Sequence, residues 1–256
     1  MDNRIGAQLY TVRNFCQNEK DLASTFQKLK QIGYKTVQVS GVSLEIPAKT
    51  VKSLADEAGL SIICTHLPYD YYMNRLDDVI AYQNDLGCSI AGLGSAPKSL
   101  RESKEGLFGF IKDFDKISKE LKAAGILFGY HNHGFEFAKL DGKYVIDYIA
   151  EGTDPDSFSF ILDVYWLAFA GIDPAKFIQK LGKRTSVLHY KDLMAKSDNT
   201  VTMCEVLEGN LEWDSIIAAS KEAGCLAAMV EQDTCPGDPF DSLKISYDNL
   251  SKKGFN

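Results

Sequence analysis

The chain has 256 residues, 45% of them hydrophobic and 25% charged, and a net charge of −7. This is the composition of a folded globular protein and excludes extended disorder. The acidic balance gives no bulk electrostatic reason to seek nucleic acid or an anionic membrane.

The start, Met1-Asp2-Asn3-Arg4, lacks the apolar run of a signal peptide. No window holds the roughly 18 apolar residues of a membrane helix. Apolar runs of strand character then follow near 4–10, 35–39, 60–65, 88–93, 126–131, 158–163, 185–190 and 226–231. Between them apolar residues recur at helical spacing. Leu22, Phe26 and Leu29 form one stripe, and Leu107, Phe110, Ile111, Phe114, Ile117 and Leu121 a longer one. A glycine separates helical stripe from strand at Gly33, Gly59, Gly87, Gly125 and Gly224, as a left-handed helix terminus requires. Eight such units leave about 32 residues each and predict a parallel sheet with covering helices. Eight strands favour closure, so the predicted fold is an α/β protein, a (β/α)8 TIM barrel, with one domain over 1–256. No G-x-G-x-x-G follows the first strand and no Walker A loop is present, which argues against a nucleotide-binding open sheet. Residues 192–210 read as a long loop and 92–97 as a shorter one. None of the six cysteines lies in a C-x-x-C pair. Buried, reduced thiols and a cytoplasmic protein are the expectation.

In a barrel, the C-terminal strand ends build the site, and here they are polar. The first strand ends near Gln8 and Tyr10, with Arg13 beyond, and the third ends in Thr65-His66. The fifth ends in His131-Asn132-His133, with Glu136 after it. The sixth, seventh and eighth close on Asp163, His189-Tyr190-Lys191-Asp192 and Glu231. A carboxylate at the end of a buried strand is costly unless paired or metal-bound. Asp163, His189 and Glu231 on one rim therefore invite a divalent cation. Mixed carboxylate and imidazole donors suit Mn²⁺, Fe²⁺, Co²⁺ or Zn²⁺ without choosing among them. The fourth ligand is Glu136, favoured for its charge, or His131; the one that is not a ligand faces the substrate.

The chain resembles the xylose isomerase-like sugar phosphate isomerase/epimerase family of TIM barrels. The resemblance rests on the segments starting at Ile5 (IGAQLYTVR), Tyr130 (YHNHGFEF), Leu162 (LDVYW), Leu188 (LHYKDL), Glu208 (EGNLEW) and Val230 (VEQD). It implies one divalent metal ion, Mn, Zn, Co, Fe or Mg, held by a Glu, an Asp, a His and a Glu after strands five to eight. Asp163, His189 and Glu231 match. At strand five many relatives carry Glu where His131 stands, so the fourth ligand departs from the pattern. A second departure is Leu207, where relatives often have Gly.

The family chemistry is enolisation of a sugar, sugar phosphate or keto sugar: a carboxylate removes a proton next to a carbonyl. By resemblance Glu136 and Glu231 would be the acid–base pair of an isomerase or epimerase. Lys191 would hydrogen-bond a substrate oxygen, and His66, His131, His133 and Arg13 would contact the carbohydrate, with Trp166 and Phe15 as apolar platforms. Related barrels also act as lyases or dehydratases, eliminating from 3-keto-glycosides or inosose-type keto sugars. A sugar-binding barrel without turnover is a further alternative. An endonuclease would need more ligands and a basic groove. Arg13, Arg75, Arg101 and Arg184 are widely spaced, so no phosphate cradle stands out. The expected partner is a small-molecule carbohydrate, with no nucleic acid and no membrane, and the resemblance leaves a homo-oligomer open.

Overall fold

The computed structural model describes residues 4–256, with no account of the Arg101 and Glu102 side chains. The expectation drawn from Met1-Asp2-Asn3 lies outside that range. Eight barrel strands run Ile5–Gln8 (β1), Thr36–Val39 (β2), Ser61–Leu67 (β3), Ile90–Leu93 (β4), Leu127–His131 (β5), Phe158–Asp163 (β6), Thr185–Tyr190 (β7) and Ala227–Val230 (β8). All pair in parallel with their sequence neighbours, and β1 closes the ring on β8. Helices return the chain between strands, so the predicted (β/α)8 barrel is the fold.

The helices form where the stripes lie. In the helix Lys104–Ala123 the expected residues, Leu107 to Leu121, are all buried, and Ser103 caps the first turn by accepting the Gly106 N–H at 2.9 Å. Helix Glu19–Ile32 buries Leu22, Phe26 and Leu29 behind an Asn18 cap. At the predicted junctions the glycines take positive φ, 70° at Gly59 and 63° at Gly87, where each N–H returns to a carbonyl of the last turn.

Strand side chains alternate between faces, and this alternation places the site. Inside the barrel Cys64, Ile90, Ile161, Val187, Ala227 and Met229 make a small apolar cluster separate from the core between sheet and helices. Two residues beyond Cys64, Ile161, Val187 and Met229 come His66, Asp163, His189 and Glu231. The apolar plug is thus the floor beneath a polar layer. Gly6 and Gly129 make room for it: a Cβ at Gly6 would lie 2.1 Å from Met229 Sδ, and one at Gly129 2.8 Å from Ile161 Cδ1.

Three expectations are corrected. The first strand stops at Gln8, because the Gln8 side chain accepts the Tyr10 N–H at 3.0 Å and starts a 3-10 helix, Leu9–Phe15. The third strand runs one residue past the expected His66, to Leu67. The stretch 192–210 is not an irregular loop: Asp192–Ala195 and Val201–Cys204 pair as an antiparallel hairpin. Among the described residues the cysteines are free thiols, all buried except the half-buried Cys235, and no helix is long and apolar enough to cross a membrane.

Candidate active site

Four side chains converge above the floor. One donor atom each from His131, Asp163, His189 and Glu231 lies within 4.8 Å of the others, and all four residues are buried. Asp163 divides its carboxylate. Oδ1 accepts the N–H groups of Tyr165 (2.9 Å) and Trp166 (3.3 Å), capping the short helix Val164–Phe169. Oδ2, buried and without a hydrogen bond, faces the cluster. Asn132 fixes this corner, its Oδ1 accepting the Asp163 N–H at 2.9 Å. His189 is oriented from across the barrel: Nε2 is 2.8 Å from Gln38 Oε1. An amide oxygen only accepts, so Nε2 carries the proton and Nδ1 presents a lone pair. That Nδ1 stands 2.9 Å from Glu231 Oε2 without a hydrogen bond between them. His131 Nδ1 is likewise buried and unpartnered. Unpartnered acceptors collected in one spot are the arrangement a cation satisfies. Donors in a tetrahedral set with bonds of about 2.1 Å lie about 3.4 Å apart, so the four atoms would draw in by up to about 1.4 Å around an ion. The residues fit a divalent metal.

Lys191 completes the electrostatics. Its ammonium, 1% exposed, lies 2.7 Å from Asp233 Oδ2, 3.3 Å from Asp163 Oδ2 and 3.4 Å from Glu231 Oε2. Trp166 and Tyr165 back it, their ring centres 5.5 and 5.8 Å from Nζ. Burial disfavours the charged amine, but Asp163, Glu231 and Asp233 outweigh it and hold Lys191 protonated. Burial also pushes Asp163 up, to about 6, against the pull of Lys191. For Glu231 burial is outweighed by the Lys191 ammonium, leaving the carboxyl well below the usual range. Burial, helped by His189, lowers His66 to about 3 and His131 well below its ordinary value, so both imidazoles are neutral.

A cavity of about 450 Å³ opens beside the cluster. His66, His131, His133, Lys191 and Glu231 line it, as do Gln8, Tyr10, Ser40, Tyr69 and Asp233. Four expectations change here. Glu136 does not join the ligand group: it is fully buried, with Oε1 accepting from the Tyr130 hydroxyl at 2.7 Å and Oε2 from the His133 N–H at 2.8 Å. It locks the turn that aims His133 at the cavity and lies outside the ligand group. His131 stands in the group in its place. Arg13 does not line the cavity. Its Nη1 donates to the carbonyls of Tyr10 (2.8 Å) and Asp233 (3.2 Å), tying the loops after β1 and β8 together. Trp166 sits behind Lys191 and His133, and Phe15 packs on Phe240 with ring centres 5.3 Å apart. Neither lines the cavity; Tyr10 and Tyr69 are its aromatic walls.

Sequence reasoning passed over Gln38 and gave no role to Asn132, Asp192 and Asp233, although these three stand in the strand-end segments it singled out. Gln38 is a polar residue inside the apolar run Thr36-Val37-Gln38-Val39, which was its signal. Asp192 is a buried hub. Its carboxylate accepts from Trp213 Nε1 (2.6 Å) and from the N–H groups of Leu193, Leu207, Gly209 and Leu211. The segment Glu208-Gly209-Asn210-Leu211-Glu212-Trp213 thus folds around it, and a Cβ at Gly209 would lie 2.4 Å from its Oδ1. Leu207 adopts φ 73° in this turn, the conformation glycine takes most easily.

Comparison with known proteins agrees with this architecture. Two structures of sugar phosphate isomerase/epimerases from Parabacteroides distasonis are each 25% identical to the chain. One covers 96% of this chain and 92% of its own, with a TM-score of 0.79; the other covers 97% and 98%, with 0.77. An L-ribulose 3-epimerase, 14% identical over 99% of this chain and 97% of its own, superposes with a TM-score of 0.73 and shows the shared fold. No match is found among curated protein sequences. A family model described as xylose isomerase-like TIM barrel matches residues 26–234, and with the closed barrel and its polar strand ends this makes the chain a member of the xylose isomerase-like TIM barrel family.

Proposed function

We propose that the protein is a metal-dependent enzyme that removes a proton next to a carbonyl of a carbohydrate, with Glu231 as base and Lys191 as partner of the developing oxyanion. The observation that carries this reading is the placement of both groups on one cavity wall, 3.4 Å apart. Glu231 is held ionised, as a base must be, and Lys191 is held charged, as an electrostatic stabiliser must be. His131, Asp163, His189 and Glu231 would hold the divalent ion, which would polarise the substrate carbonyl as a Lewis acid. His66, His133 and Ser40 offer polar groups to hydroxyls of the bound sugar.

With Glu136 bound to Tyr130 and the His133 N–H, and Asp233 held by Lys191 at 2.7 Å, Glu231 is the carboxylate placed to work on the substrate. One base suits a transfer on one face of an enediolate, as in aldose–ketose isomerisation. It does not suit epimerisation by two carboxylates on opposite faces. The same single base favours a second reading, elimination from a keto sugar, which begins with the same proton abstraction.

The test is C–H exchange in heavy water over a panel of aldoses, ketoses and 3-keto-glycosides, with the protein loaded with divalent metal. Wild type is expected to exchange the proton next to the carbonyl, and Glu231→Gln to lose about a thousandfold or more. A fully active Glu231→Gln sinks the mechanism. Sugar binding by wild type without exchange, with affinity kept in Glu231→Gln, would indicate a pure binder. Elemental analysis should find about one metal per chain, lost in Asp163→Ala.

A further inference from the structure

The donor set carries less negative charge and more nitrogen than one of three carboxylates and a single imidazole. His131 and His189 contribute two imidazoles against Asp163 and Glu231. A third imidazole, His66, groups with the same two histidines within 4.8 Å, and its buried Nε2 has no hydrogen-bond partner. The Lys191 ammonium, 3.3 Å from Asp163 Oδ2 and 3.4 Å from Glu231 Oε2, offsets part of the charge on those two oxygens. Hard ions such as Mg²⁺ and Ca²⁺ bind through charge and oxygen donors, whereas imidazole suits Zn²⁺, Co²⁺, Ni²⁺ and Fe²⁺.

Resting on the reading of this cluster as a metal centre, we infer that it selects a nitrogen-seeking ion, Zn²⁺ or Co²⁺, over Mg²⁺, and that His131 determines this selectivity. His131 closes β5 two residues beyond Gly129, which packs on Ile161 of the floor, so its imidazole stands on the same inner face as Asp163 and His189. Gln38 adds to the selectivity by fixing His189 with the Nδ1 lone pair toward the cluster.

The experiment uses chelator-stripped full-length protein. Zn²⁺ and Co²⁺ are titrated in competition with a chromophoric chelator and Mg²⁺ by calorimetry, on wild type and on His131→Glu. Wild type is expected to bind Zn²⁺ and Co²⁺ at least about 100-fold more tightly than Mg²⁺. In His131→Glu the Zn²⁺-to-Mg²⁺ ratio should shrink about tenfold or more, and the visible absorption of the Co²⁺ complex should change as a nitrogen donor is lost. If His131→Glu fails to fold by circular dichroism, His131→Gln should weaken Zn²⁺ more than Mg²⁺. An equal or greater affinity of wild type for Mg²⁺, or a ratio unmoved by substitution of His131, overturns this inference and leaves the metal centre standing. No uptake of any of the three ions by wild type overturns both.

Discussion

At the scale of single residues, Lys191 has the most to explain, because a buried ammonium among three carboxylates is stable only while the set is complete. Lys191→Met leaves Asp163, Glu231 and Asp233 repelling one another. The stripped protein should lose about 3 kcal/mol or more, read by urea unfolding. Added Zn²⁺ should then raise its melting temperature more than that of wild type, because the ion supplies the missing positive charge; an equal rise in both would contradict the account. Gln38 acts more quietly, through the ring it orients. Gln38→Leu should keep the fold and weaken metal binding by about tenfold or more, since outer partners of a ligating histidine commonly contribute that much. The rim histidines and carboxylates were legible in the sequence, because each ends an apolar run. The choice of His131 over Glu136 was not. Charge favoured Glu136, and only the fold reveals that the Tyr130 hydroxyl and the His133 N–H donate to its two oxygens.

At the scale of elements, period-two alternation explains why the site was readable. His66, Asp163, His189 and Glu231 each stand two residues beyond a member of the apolar floor, so one pattern encodes both. The segment after β7 was harder to read. Its order comes from Asp192, whose five donors are spread over 21 residues of sequence and only meet once the hairpin has formed. Asp192→Ala should strip those N–H groups of their acceptor and cost about 3 kcal/mol. Limited proteolysis should then cut within 205–212; a variant as resistant as wild type would show that the hairpin orders this segment without the carboxylate. Gly92 is a strict position of another kind. A Cβ there would lie 2.4 Å from the Thr65 carbonyl and 2.7 Å from His66 Cδ2. Gly92→Ala should therefore destabilise the protein by about 1–3 kcal/mol and displace His66, seen as a changed His66 ring signal by NMR.

For the whole molecule, the closed barrel gives a rigid ring on which residues from β2 and β5 to β8 meet, though more than 190 positions separate Gln38 from Glu231 in the sequence. Alternation of strand and helix was enough to predict that ring. The cavity's aromatic walls were not predictable, because whether Tyr69 or Trp166 faces the substrate depends on how the loops settle. The stripped protein should still unfold in a single cooperative transition, scanned by calorimetry, lying below that of the loaded form only by the stabilisation that a ligand adds by mass action. A collapse of the fold on chelation would contradict this. The reason lies in Lys191, which already neutralises part of the acidic cluster from within. A newly synthesised chain can therefore close its barrel before it meets any ion. Under the metal-dependent function proposed above, scarcity of metal in a cell would silence the protein without unfolding it, and a later supply would restore it with no new synthesis.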